Sequence, residues 1–127
     1  MKKVLVVDDI QQVLEFHKGN ILYNNKDVKV DTAQSAREGY EKIFAHVSDP
    51  YDVVITDMQM ENDFEPLCAG EWLIQQIQML KQYYKTRIYI CSGYYAIKMI
   101  AEKYNVDYVR KSELTPDADF YKDIDLL

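Results

Sequence analysis

The sequence holds only two cysteines, Cys68 and Cys91, in 127 residues. They lack the spacing of a metal-ligand pair. No apolar run approaches the roughly 20 residues that crossing a bilayer requires. Nor does the N-terminus read as a secretory signal, because Met1-Lys2-Lys3 leads into a short apolar stretch that stops at Asp8-Asp9. Together these absences predict a cytoplasmic chain with both thiols reduced. Basic charge is also short. Lysine and arginine number 15 against 21 aspartates and glutamates, for a formal net charge of -6. Binding a phosphate backbone calls for a basic face, so direct nucleic-acid binding by this chain is not expected. Glycine is sparse, with four residues and no glycine-rich phosphate loop. Internal repeats, low-complexity tracts and interdomain linkers are missing too.

What is there suits one folded domain over residues 1–127. A chain of this length buries a core without staples, and 48% hydrophobic with 28% charged residues is ordinary globular usage rather than disorder.

Five short apolar runs alternate with helix-like segments. Lys3 to Val7 is a β-branched run ending at Asp8-Asp9. From Ile10 to about Tyr23, apolar residues at 10, 13, 14, 21 and 22 keep helical spacing, weakened by Gly19. Val28 to Thr32 alternates with period two. Ser35-Ala36-Arg37-Glu38 matches a capping box, opening a helix to about His46 that should bury Ala36, Tyr40, Ile43 and Phe44. Tyr51 to Thr56 is the next strand, ending at Asp57. Residues 58–69 read as an irregular polar loop, and Gly70 to Tyr84 as a helix with Trp72, Leu73, Ile77 and Leu80 inward. Arg87 to Cys91 is a fourth strand that ends at Ser92-Gly93. Ala96 to Tyr104 is helical, with Ile97, Ile100 and Ala101 inward, and Val106 to Val109 is a fifth strand followed by Arg110-Lys111. Thr115-Pro116-Asp117 has the residues of a helix start, opening a last segment whose apolar stripe is Phe120, Ile124 and Leu127. Near-continuous apolar strands are buried on both faces, and strand–helix alternation requires a parallel sheet between helix layers. The expectation is a doubly wound five-stranded α/β fold.

Ligands of such folds sit beyond the carboxyl ends of the strands. That edge should collect Asp8, Asp9, Asp57, Ser92 and Lys111: three acids, a hydroxyl and an amine. Carboxylates placed together repel one another, and at least one should gain a raised pKa. A hard dication resolves the conflict, since Mg²⁺ takes oxygen ligands and keeps several waters. An aspartate beside it can attack a phosphoryl donor, with Lys111 and Ser92 available to neutralise charge.

On Val4-Leu5-Val6-Val7-Asp8-Asp9, Val53 to Met60, Cys91-Ser92-Gly93 and Asp107 to Lys111, the chain resembles the receiver domain of two-component response regulators across about residues 2 to 112. The resemblance implies the flavodoxin-like strand order 2-1-3-4-5. It also implies roles residue by residue. Asp57 would be the phosphoacceptor. Asp9 would bind Mg²⁺ directly, Asp8 chiefly through water, and Gln59 through its backbone carbonyl. Lys111 would pair with Asp57 and then with the phosphoryl oxygens, Ser92 would hydrogen-bond the phosphoryl group, and Tyr108 would be the aromatic switch. The implied donor is a phosphohistidine on a histidine kinase or phosphotransfer protein, or a small molecule such as acetyl phosphate. The implied output is contact with a downstream protein target. Such a receiver drives its own phosphorylation and dephosphorylation and is not a turnover enzyme.

Departures from the family pattern cluster beside the site. Glu61 stands where the family has proline, Gly70 follows an insertion around Asn62 to Cys68, and Ser112 rather than proline follows Lys111. A cis bond before a residue other than proline costs roughly 3 kcal/mol. These departures motivate the competing reading of a pseudo-receiver, an interaction module that keeps the fold without the chemistry. A third reading, an aspartate-based phosphohydrolase, expects a second acid two residues after Asp57, and Gln59 stands there. Taken singly, Asp8-Asp9 could cap a helix, Asp57 and Ser92 could be turn residues, and Lys111 could be solvated. Their joint placement is what carries the functional reading. His17 and His46 read as surface or packing residues away from the site. Tyr83-Tyr84 and Tyr94-Tyr95 are candidate aromatic surfaces, and Tyr94 is a candidate shield for the acyl phosphate.

Overall fold

A computed structural model describes residues 1–124. Five parallel strands form one sheet in the order β2-β1-β3-β4-β5. They are β1 (Lys2–Val7), β2 (Val28–Ala33), β3 (Val53–Thr56), β4 (Arg87–Ser92) and β5 (Asp107–Arg110). The helices between and after them are α1 (Gln11–Asn24), α2 (Ala36–Ala45), α3 (Ala69–Gln78), α4 (Ile97–Tyr104) and the single turn α5 (Asp119–Lys122). Among the described residues, no helix is long and apolar enough to cross a membrane.

Alternation along the strands divides the core. Val4 and Val6 of β1, with Val53 and Ile55 of β3, face Leu14 and Ile21 of α1 and Tyr121 of α5. Leu5 and Val7 point the other way, joining Val54, Ile88 and Ile90 under Ile43, Leu73, Ile77, Ile97 and Ala101 of α2, α3 and α4. Both faces of β1 and β3 are therefore dry, which is why their sequences are unbroken apolar runs.

The capping box forms with one change. Ser35 Oγ accepts the Glu38 N–H at 3.0 Å, but Glu38 reaches back one residue further than the standard motif, to the Gln34 N–H at 3.0 Å.

Several expectations from periodicity need correction. Ile10, Leu22 and Phe44 are exposed, because a helix at one edge of a narrow sheet has less than half its surface to bury. α3 ends at Gln78 rather than Tyr84. The chain then makes a 3₁₀ turn, Lys81–Tyr83, that buries Tyr83 and lets its hydroxyl donate to the Ile43 carbonyl at 2.6 Å. The helix expected to open at Thr115 does not. Thr115 Oγ1 bonds Asp117 Oδ1 at 2.8 Å in a turn, and α5 begins only after Ala118. Ile124 is buried as expected, and Leu127 lies outside the described residues. His17 is buried as well, hydrogen-bonded through Nδ1 to the Tyr121 hydroxyl at 2.8 Å.

Candidate functional site

Sheet register brings the site together. Val7 of β1 lies beside Thr56 of β3, and Thr56 beside Ile90 of β4. Ser92 closes β4 opposite Arg110 of β5, so Lys111 follows directly. The backbone ladder continues past the strand ends: the Asp8 N–H donates to Ala33 at 3.1 Å and the Asp57 N–H to Val7 at 2.9 Å. Asp8 and Asp57 are thus held by main-chain bonds that extend the sheet past its strand ends.

Carboxylate oxygens of Asp8, Asp9 and Asp57 lie within 4.8 Å of one another. Asp8 and Asp57 are buried, at 1% and 7% exposure, and Asp9 is exposed, so the cluster has one side open to water. Lys111 Nζ stands 3.1 Å from Asp8 Oδ2 and 3.2 Å from Asp57 Oδ2. The remaining oxygens are also engaged: Asp8 Oδ1 accepts the Ile10 N–H at 2.9 Å, and Asp57 Oδ1 the Met58 N–H at 2.7 Å. Burial, with Asp8 nearby, raises the Asp57 carboxyl above the ordinary carboxylate range against the opposing pull of Lys111 and the Met58 N–H. Burial lowers the Lys111 pKa, but Asp57 and Asp8 outweigh it and hold the ammonium above its usual value.

Ser92 is buried at the end of β4, where its Oγ accepts the Tyr94 N–H at 3.1 Å. Tyr94 is partly buried, with its ring 5.0 Å from that of Tyr95. Tyr108 is exposed on β5, and the Arg110 guanidinium lies 5.8 Å from its ring centre. Gln59 is exposed at the start of the long loop and lines a cavity of about 330 Å³ with Glu61, Asn62, Pro66 and Cys68. Among the described residues the one cis peptide is Glu65–Pro66. Lys111–Ser112 is therefore trans, and Lys111 still reaches both acids.

Sequence reasoning missed three features. Met58 binds the inner oxygen of Asp57 through its N–H, a contact any residue could make. Gly70 packs against the acceptor backbone, since a Cβ there would lie 2.0 Å from the Asp57 main-chain oxygen; the displaced glycine was visible, but not what it touches. His17 is not remote. It senses both Asp8 and Lys111, and burial first of all lowers its pKa to about 4.

Residues 4–113 match the family described as the response regulator receiver domain. A response regulator receiver domain protein from Clostridium thermocellum is 26% identical, with a TM-score of 0.71 over 99% of this chain and 93% of that one. A CheY-like receiver domain protein from Methanospirillum hungatei shares 18% identity and a TM-score of 0.74, covering 99% and 92%. The response regulator TrrA from Thermotoga maritima, determined in complex with Mg²⁺-BeF, shares 24% and 0.73, covering 97% and 95%. No curated protein gives a significant match. A family match spanning most of the chain, on a sheet of the same strand order, identifies it: this protein belongs to the response regulator receiver domain family.

Proposed function

We propose that the chain, read as one receiver domain over residues 1–127, is a phosphorylation-dependent signalling switch with Asp57 as its phosphoacceptor. The observation that carries this reading is the buried Asp57 carboxylate, bridged by Lys111 to Asp8 and grouped with Asp9. Three oxygen-bearing acids open to water on one side fit a hard, partly hydrated dication. Asp9, Asp57 and the Gln59 carbonyl would hold Mg²⁺, with Asp8 acting through water; bound there, the ion supplies charge neutralisation for the transferring phosphoryl group.

The chain's own residues do the rest. A carboxylate oxygen of Asp57 attacks phosphorus, an acyl–phosphate bond forms, and the donor's P–N or P–O bond breaks, its electron pair leaving with the donor. Lys111 already holds Asp57 in place and passes to the new phosphoryl oxygens, while Ser92 gives its hydroxyl hydrogen to another. Ser92 Oγ can keep accepting the Tyr94 N–H while it donates, which would couple the acceptor to the loop after β4. The Tyr108 side chain, exposed on the neighbouring strand, is the proposed readout. The donor is a histidine kinase or phosphotransfer protein, and the output is contact with a downstream protein target in the cytoplasm.

Intact-protein mass spectrometry after incubation with acetyl phosphate, with and without Mg²⁺, tests the reading. A single Mg²⁺-dependent phosphate adduct absent from Asp57→Asn is expected. The same assay on Tyr94→Ala times phosphoryl loss, and an unchanged rate removes Tyr94 as a shield. No adduct, together with no beryllofluoride or Mg²⁺ binding, would leave the pseudo-receiver, a non-phosphorylated interaction module, as the better reading.

A further inference from the structure

The insertion after the site is tied down at its first residues. Glu61 Oε1 accepts the Ala36 N–H at 2.8 Å, and Oε2 accepts the Arg37 N–H at 3.3 Å. The first N–H groups of a helix have no partner within it. In α2, Glu61 takes the first two, Ser35 Oγ takes that of Glu38, and the Gly39 N–H returns to the Ser35 carbonyl. Two of the three N–H groups that open α2 are therefore met by a side chain from a different loop.

On the other side, Met58 is equally fixed. Its N–H binds Asp57 Oδ1 at 2.7 Å, and its carbonyl accepts the Gly70 N–H at 2.9 Å. Gln59 and Met60 thus span two anchors, the acceptor strand and the start of α2. Beyond Glu61 the insertion stays attached. Arg37 Nε pairs with Asp63 at 3.2 Å, its guanidinium lies 5.0 Å from the Phe64 ring centre, and Phe64 stacks on Trp72 of α3 at 4.1 Å.

We infer that Glu61 is a positioning residue for the proposed metal site: by capping α2 it holds the Gln59 carbonyl in reach of the acid cluster. The inference rests on the Mg²⁺-dependent function proposed above. A proline at this point restricts the backbone by its ring. Glu61 achieves a comparable restriction through two charge-assisted hydrogen bonds.

Calorimetric titration with Mg²⁺ alone, on the unphosphorylated chain, separates the possibilities. Glu61→Ala should bind Mg²⁺ about five-fold more weakly, the size of effect that losing a helix cap has on a local equilibrium. Glu61→Gln keeps one acceptor oxygen and should stay within about two-fold of wild type. Ser35→Ala weakens the same helix end without touching the loop and should leave Mg²⁺ affinity unchanged. Independently of any metal, exchange of the Ala36 and Arg37 amide protons should quicken in Glu61→Ala. The inference is overturned if Glu61→Ala binds Mg²⁺ like wild type. It is equally overturned if Glu61→Gln falls as far as the alanine, which would mean charge alone, or if Ser35→Ala falls with them, which would mean helix stability alone. A wild type that takes up no Mg²⁺ is a different result, since it overturns the proposed function beneath the inference.

Discussion

Gly70 lies so close to Asp57 that a Cβ on the glycine would sit 2.0 Å from the main-chain oxygen of the acid and 2.8 Å from Met58 Cα. Both neighbours are backbone, so neither can turn aside as a side chain would. Gly70→Ala should therefore move either α3 or the end of β3, at a cost on the order of 2 kcal/mol for overpacking. Urea unfolding checks the stability. Because the strain falls on the acceptor itself, adduct formation with acetyl phosphate should slow as well. Gly39 is the comparison: the nearest atoms to a Cβ there are on the Val7 and Leu73 side chains, at 3.1 Å and beyond, and Gly39→Ala should leave the chemistry intact.

Asp8 and Asp57 share the Lys111 ammonium, and Asp9 adds a third carboxylate beside them. Without metal, this crowding opposes folding at neutral pH. Asp57→Asn keeps an oxygen for the Met58 N–H and removes one charge. It should be more stable than wild type in chelator by about 1 kcal/mol. Excess Mg²⁺ should reverse or narrow the gap, since a ligand stabilises only the state that binds it. Paired unfolding curves with chelator and with Mg²⁺ measure both terms. A variant less stable than wild type in chelator would show that the Asp57–Lys111 pair outweighs the repulsion.

His17 carries a pH prediction. Burial chiefly, with Lys111 adding and Asp8 opposing, lowers its pKa from 6.5 to about 4. The unfolded chain then takes up the proton first as pH falls. The contribution of neutral His17 to stability is full above pH 6.5 and is lost progressively down to about pH 4. The gap corresponds to about 3 kcal/mol. His17→Gln should flatten that part of the stability–pH curve, measured by thermal or urea unfolding between those limits. An unchanged slope would place the loss in other groups.

Much of the site was legible because its information is local. Asp8-Asp9 and Asp57 come straight after apolar strands, Ser92 closes a third and Lys111 follows β5, and parallel strands deliver their carboxyl ends to one edge. What escaped depended on contacts distant in sequence. Glu61 read as added acidity in a loop, yet its partners are amides 24 and 25 residues earlier. His17 read as remote, yet its partner Tyr121 lies 104 residues away. The last helix was overestimated because Thr115-Pro116-Asp117 satisfies the rules for a helix start, while the side-chain bond from Thr115 to Asp117 closes a turn instead.

The sequence by itself determined the alternation of strands and helices, the two dry faces of the central strands and the identity of the residues at the reactive edge. Hydrophobic periodicity and strand-end chemistry are properties of neighbouring residues. Only the tertiary structure decided which donor each carboxylate meets, how closely Gly70 approaches Asp57, and that the insertion is fastened to α2. Those outcomes depend on how separate elements pack and how buried polar groups find partners, and hydrogen bonds of that kind leave no periodic trace in the chain.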